Sequence, residues 1–481
     1  MCEIIGRKTE IDTLQRRFAS NQPEFIAIYG RRRVGKTFLV TRVFKDDIVF
    51  SHTGLAPVKG KKNTLKNQLQ NFRFSLMRHG AEIEKDPSSW LEAFYMLEKF
   101  LEKNDNGQKQ VVFIDELSWM DTPRSFFTTA LESFWNGWGN RRNNLVLVIC
   151  SSATSWMLDN VINEGGGLYN RLSEQIHLKP FTLGECEDFF NSRKIKMTRD
   201  DVLKAYMILG GIPYYMNLFS PALSFPQNID KLFYGNEAKL KNEFDNLFNA
   251  VFGKAELSKK IVELLGKKRS GLTRKEISEA LEVDNNGEFH KLIRAIIESG
   301  YAKECVTYAD EEKTVLVRLT DLFCLFWLHF IKKHPTKDPN FWSLNSNTPI
   351  VNTWQGYAFE DVCFNHIPQI KDALGIAGIV TEEGTLLIKN DEKTKSEGLQ
   401  LDMLIWRADN VVNLCEMKYT KEPYTIDEKY SEKLTSRAEK FSERYKKHVP
   451  HITLISPKGI KFNKYSSAVQ STVSSSELFK Q

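Results

Sequence analysis

The chain has 481 residues, of which 41% are hydrophobic and 27% charged, and its formal net charge is +6 at pH 7. That length exceeds a single core and implies two to four domains; the composition excludes wholesale disorder, and the small positive charge permits nucleic-acid binding without demanding it. Seven cysteines without a CxxC pair exclude a zinc ribbon or disulfide scaffold. With no apolar signal region and no apolar run near the ~20 residues of a membrane span, they point to a cytoplasmic chain without a membrane partner.

In chain order, the first clear element is the apolar run Phe25-Ile26-Ala27-Ile28-Tyr29, which ends at Gly30. Two more buried strands are expected at Val111–Ile114 and Leu145–Ile149, with helical stretches between them. Strands alternating with helices imply a parallel sheet covered on both faces. Between the first strand and the next helix stands Gly30-Arg31-Arg32-Arg33-Val34-Gly35-Lys36-Thr37, which fits GxxxxGK[ST] in the context that the motif requires. The backbone N–H groups of such a loop wrap phosphates, aided by the positive end of the following helix dipole. Lys36 would reach the β- and γ-phosphates of ATP, and Thr37 would ligate Mg²⁺. The strand at 111–114 ends in Asp115 and Glu116, the first placed to hold Mg²⁺ and the second to orient or deprotonate the attacking water. Ser151 or Ser152 ends the next strand, where a hydroxyl can sense the γ-phosphate; Arg171 is a further candidate for that contact.

From about 183 to 250 the pattern is helical, interrupted by Gly210-Gly211-Ile212-Pro213. Residues 256–320 read as a winged helix-turn-helix. Its first helix spans Leu257 to Leu265, the capping box Thr273–Glu276 opens the second, and Phe289, Leu292, Ile293, Ile296 and Ile297 line the third. Tyr301–Tyr308 and Thr314–Leu319 form the wing. His290, Lys291 and Arg294 would enter a DNA major groove, although such modules also serve as contacts for a protein partner. Residues 334–350, rich in Pro, Asn and Ser, read as a linker.

Near the C-terminus, Gln400–Trp406 and Val411–Lys418 read as a hairpin turning at Asp409. Antiparallel pairing about that turn sets Asp402 and Glu416 face to face, at Cβ separations of roughly 4.5–5.5 Å where like charges repel. A divalent cation would reverse that penalty. Alternation puts Lys418 on the same face as Glu416, so two acids and a lysine form a metal-dependent phosphodiesterase site. Downstream, Lys429, Lys433, Arg437, Lys440 and Arg444 make one basic face of a helix that could track a phosphate backbone, while Glu428, Glu432, Glu439 and Glu443 share that helix and allow a merely solvated face.

The loop with its three arginines, Ile5-Gly6-Arg7-Lys8, Asp115-Glu116, Lys179-Pro180-Phe181-Thr182 and Gly210–Tyr215 together resemble the archaeal-type ATPases of the signal-transduction branch of P-loop ATPases. That resemblance implies that Gly6 and Arg7 line an adenine pocket and that Pro213 touches the nucleotide from a helical lid. The C-terminal part, through Gly356–Glu360, Asp402 and Glu416-Met417-Lys418, resembles the PD-(D/E)xK nucleases. It implies that Asp402 and Glu416 hold Mg²⁺, that Glu360 completes the acidic cluster, and that Lys418 polarises the attacking water. The expected chain is thus multidomain α/β. An ATPase domain (1–180) and a helical lid (181–252) precede the winged helix (253–333) and linker (334–350), and a restriction-endonuclease-like domain (351–470) follows. ATP and Mg²⁺ are the expected ligands and DNA the expected partner. Two functions are expected: an ATP switch driving a nuclease, or the same switch with a catalytically silent C-terminal domain.

Overall fold

The computed structural model describes residues 4–57, 63–163, 168, 170–252, 254–309, 312–388 and 398–481. It divides into two compact units. One comprises Met1–Pro180, Asn242–Lys259 and His290–Gly300, and the other Phe181–Lys241, Lys260–Phe289 and Tyr301–Gln481.

The first unit is built on five parallel strands: β1 (Glu24–Tyr29), β2 (Ile48–Thr53), β3 (Gln110–Asp115), β4 (Leu145–Ser151) and β5 (Glu174–His177), in the order β2-β3-β4-β1-β5. The three expected strands are the central ones. β3 and β4 are buried along their whole length, and β1 along all but Tyr29, as strands covered on both faces must be. The outer two, β2 and β5, are part-exposed and lack that continuous apolar signature. Helices Leu65–Arg78, Trp90–Lys103 and Phe127–Gly137 close one face through a ring cluster in which Trp90 meets Phe127 at 5.0 Å and Phe94 stacks on Phe134 at 5.3 Å. Burial of each such side chain stabilises the fold by about 1.5–3 kcal/mol, and the rings also fix the helices' rotation about the sheet.

The second unit carries seven strands: β6 (Ala302–Ala309), β7 (Glu312–Leu319), β8 (Thr381–Ile388), β9 (Leu399–Arg407), β10 (Val411–Met417), β12 (Val449–Ile455) and β14 (Ser471–Val473), ordered β14-β12-β10-β9-β8-β6-β7. The short strands β11 (Tyr424–Thr425) and β13 (Ile460–Lys461) pair separately. The expected wing hairpin forms, with Ala302 opposite Leu319. It is not a free wing: β6 also pairs with β8 in parallel, Val306 opposite Gly384, so that its hairpin partner β7 becomes the edge of the larger mixed sheet. One sheet therefore runs across the expected linker. That stretch itself holds the helix Phe341–Asn345 and the start of the helix Pro349–Asn365; Trp342 is buried, and the carboxylate of Asp230 accepts from the backbone N–H groups of Trp342 (2.7 Å) and Ser343 (3.0 Å). The Pro, Asn and Thr read as linker composition serve here as helix starters, Asn340 and Thr348 preceding their helices and Pro349 opening one.

The helical region from Phe181 is punctuated by capping boxes at Thr182, Thr198 and Ser224. Between its helices, Gly210 and Gly211 adopt φ 65° and 68°, and a Cβ on Gly211 would stand 2.3 Å from the Phe181 carbonyl. Phe181 N–H donates to the Gly211 carbonyl at 2.8 Å, so the break leading to Pro213 is a designed backbone approach rather than a loose joint. The three helices of the expected winged module all form, as Ala255–Lys267, Arg274–Ala280 and Gly287–Glu298, with the Thr273–Glu276 box in place.

Candidate functional site: a phosphate loop and its acids

In the five-stranded sheet, β4 lies between β1 and β3, and neighbouring strands are about 4.8 Å apart. The loop that follows β1, the acids that end β3 and the serine that ends β4 therefore meet at one edge, the carboxyl ends where open α/β sheets bind ligands. The loop's shape requires its glycines. Gly30 has φ 139°, and a Cβ there would lie 2.4 Å from the Leu178 carbonyl. Gly35, at φ 98°, turns the chain into the helix Lys36–Val43. Val34 is buried, and its carbonyl accepts from Arg7 Nη2 at 3.3 Å. Gly6 (φ 63°) and Arg7 (φ 59°) are thus bound to the loop from the chain start, Arg7 also lying 3.8 Å from Glu10. Arg31 is buried and Arg32 half-buried, while Arg33, itself at φ 72°, forms a 2.9 Å ion pair with Glu243.

Lys36 is buried, and its ammonium donates to the carbonyls of Gly30 (2.8 Å) and Arg31 (3.1 Å) inside the loop. Burial lowers its pKa, against the raising influence of Glu116, Cys150 and Asp115. Thr37 Oγ1 donates to Asp115 Oδ2 at 2.6 Å. Burial, then the Glu116 charge, raises the Asp115 pKa, with the Thr37 hydrogen bond and Lys36 opposing. Two adjacent hard oxygens of this kind fit Mg²⁺, which takes few protein ligands alongside phosphate oxygens. Glu116 stands in the left-handed region at φ 52°, and its Oε2 accepts from both Ser152 Oγ (2.7 Å) and Ser152 N–H (3.2 Å). That bond brings Ser152 to the acids. Ser151 Oγ accepts from Ala153 N–H instead.

Arg171 does not reach this edge. It is exposed, two residues before Ser173, whose N–H donates to the carbonyl of Phe25 near the start of β1; register therefore places it at the opposite edge of the sheet from the loop. Arg294 is not free for a DNA groove: its Nη2 bridges both oxygens of Asp159 at 2.7 Å, with Glu298 at 3.7 Å. Sequence reading also missed His177, whose ring stacks on Tyr29 at 5.0 Å beside Gly30, and Glu243. A polar residue ending a short edge strand and an acid far along the chain carry no local signal.

In the second unit the hairpin register holds as expected from Val412–Trp406 to Cys415–Met403. It then changes. Against β8, the residues of β9 step from Leu404 to Leu401 while β8 steps only from Gly384 to Leu386, a β-bulge at Asp402 and Met403. The two carboxylates have separate partners. Glu416 is buried and accepts from Arg437 Nη1 and from Tyr430 OH (3.0 Å), with Lys418 Nζ at 3.9 Å. Asp402 acts electrostatically on Glu360, whose carboxyl is pushed up to about 7 by burial first and Asp402 second. Arg318 lies 3.9 Å from Glu360 and donates to the buried Asp361 at 2.8 Å. Among the described residues no three His, Cys, Asp or Glu side chains form a metal-holding group. Guanidinium groups stand beside two of the expected acids, Arg437 at Glu416 and Arg318 at Glu360.

A glycine loop, a buried lysine and hydroxyl-held acids at the carboxyl edge of a parallel sheet define a P-loop ATPase. Residues 4–219 match the family described as an ATPase domain predominantly from Archaea, and the chain carries that domain. An uncharacterized protein of Methanocaldococcus jannaschii is 26% identical over 266 residues, a match spanning 54% of this chain and 54% of that relative. An uncharacterized ATP-binding protein of the same organism is 40% identical over 43 residues, 9% of this chain and 73% of that one. Among solved structures, the Walker-type ATPase of Pyrococcus abyssi is 16% identical, covering 68% of this chain and 96% of its own, with a TM-score of 0.47. Among the described residues no helix is long and apolar enough to cross a membrane.

Proposed function

We propose that this chain is an ATP-operated switch whose slow hydrolysis resets an effector half that acts at DNA. The observation that carries the reading is the pair of hydroxyl–carboxylate contacts at the loop, Thr37 to Asp115 and Ser152 to Glu116. Thr37 and Asp115 would hold Mg²⁺, which supplies charge neutralisation at the phosphates when bound. Lys36 draws the β- and γ-phosphates into the loop, and the loop's N–H groups fix their orientation. Glu116 takes the proton from the attacking water. In the resting arrangement it is occupied by two donors from Ser152, and a serine has only one O–H proton to give. A γ-phosphate oxygen that claims that proton loosens Glu116, so cleavage follows substrate binding rather than preceding it. Within the same proposal Gly6 and Arg7 flank the adenine.

The C-terminal half supports the silent reading over the nuclease reading. Glu416 already has a guanidinium, a phenol and an ammonium around it, and Asp402 lies on a bulge, so the donor set does not fit a divalent ion. The exposed lysines and arginine at 429, 433 and 444 support DNA as the partner of this half, through its phosphates. Two assays test the proposal. Phosphate release from ATP should require Lys36 and Glu116, and plasmid DNA incubated with Mn²⁺ should be bound without being nicked. Nicking that disappears in Asp402→Ala would restore the nuclease reading.

A further inference from the structure

We propose that Glu243 is a positioning residue of the phosphate loop: its ion pair with Arg33 is a latch that triphosphate binding opens, which transmits loop occupancy to the helix Glu243–Val251. The inference rests on the ATP-switch reading and goes beyond it by naming the coupling residue. Arg33 is the fourth residue of the loop, and its positive φ (72°) is part of the loop's curvature. Its Nη2 is 2.9 Å from Oε2 of Glu243, whose side chain is only 2% exposed. Glu243 is the first residue of its helix, and that helix belongs to the same compact unit as the loop although the chain places it at the end of the helical region.

The coupling follows from charge. A carboxylate buried this deeply needs a cation beside it, because desolvation of an uncompensated ion is costly. While the loop holds no phosphate, Arg33 meets that need, and the loop apex and helix start are bound as one body. The apolar face of the helix keeps it seated: Phe244, Leu247 and Phe248 are buried, with the Phe244 and Phe248 rings 4.8 Å apart. Triphosphate oxygens entering the loop place several negative charges within a few residues of Arg33. They attract the guanidinium and repel the Glu243 carboxylate, so both effects weaken the same ion pair. By linkage, a pair that ATP weakens must in turn weaken ATP binding.

The test uses the full chain and ATPγS, with fluorescent-nucleotide titration and amide hydrogen exchange. Glu243→Gln removes the opposing charge and should tighten ATPγS binding at least threefold, whereas Arg33→Met should weaken it and cancel most of the Glu243→Gln gain in the double variant. In the wild type, ATPγS should raise exchange in residues 243–251, and this response should vanish in Arg33→Met. The double replacement Arg33→Met with Glu243→Met, which removes both charges of the pair, guards against misfolding and should keep a wild-type melting temperature within a few degrees. Binding by Glu243→Gln that is unchanged or weaker while the wild type binds normally overturns the latch alone. A wild type that binds no more ATPγS than Lys36→Ala sinks the ATP-switch reading, and the latch with it.

Discussion

The two acidic sites of this chain hold their carboxylates in opposite ways. In the ATPase unit, Asp115 and Glu116 are held by the hydroxyls of Thr37 and Ser152. In the other unit, Glu416 and Asp361 are held by the guanidinium groups of Arg437 and Arg318. A neutral hydroxyl gives way to a metal ion or a water without leaving a charge stranded. A buried guanidinium cannot leave so cheaply, since its departure leaves an uncompensated ion. Acids that close a buried strand, Asp115 and Glu116 in one unit and Glu416 in the other, are thus answered by neutral donors in one place and by a cation in the other.

The largest expected effect tests the site answered by neutral donors. Glu116→Gln should lower the turnover of ATP by about 10²–10⁴-fold while leaving nucleotide binding measurable, the range for loss of a general base; steady-state phosphate release and nucleotide titration check it. Turnover within tenfold of wild type would mean that Glu116 is not the base and that the contrast between the sites is empty. Next in size is the site answered by a cation. Arg437→Ala should destabilise the second unit by about 3–5 kcal/mol, the cost of orphaning a buried partner, and adding Glu416→Gln should restore part of it. Ser152→Ala should cost only about 1 kcal/mol, as for one hydroxyl hydrogen bond. Urea unfolding of the three variants measures the ratio directly, and equal losses at the two sites would erase the distinction. A pH-dependent effect concerns Glu360, whose folded value of about 7 lies above its ordinary 4.5. A raised carboxyl favours the fold while protonated, so its contribution is complete below pH 4.5 and is lost as the pH rises through 7. Against Glu360→Gln, wild-type stability should therefore fall by on the order of 2 kcal/mol between pH 4.5 and 7. A flat difference across that range would remove Asp402 and burial as neighbours that matter.

Much of the ATP site was legible because its parts are local. Gly30 through Thr37 are contiguous, and Asp115-Glu116 and Ser152 each end a fully apolar strand. The C-terminal hairpin was legible to the same extent: turn, partners and register stand from Val412 to Cys415. The bulge at Asp402 was not, because it arises against β8, more than ten residues upstream and in a different pairing. The wing was found as a hairpin but not as a sheet edge, since β6 reaches β8 across the region whose Pro, Asn and Ser read as linker. Trp342 was the one warning there: a large apolar side chain seldom sits in a true linker, and it is buried. Arg294 was grouped with DNA-reading residues on helical spacing alone, and only its contact with Asp159 shows that the side chain is already engaged.

Sequence alone determined which residues meet at the loop: glycines where it needs positive φ, a lysine and threonine at the helix start, acids and a serine where apolar strands stop. These are consequences of backbone geometry over a few residues. Tertiary structure decided which charges are already answered. Arg33 with Glu243, Arg437 with Glu416 and Arg318 with Asp361 join distant stretches of chain. A carboxylate's availability depends on whatever cation the fold brings beside it, and no local pattern records that neighbour.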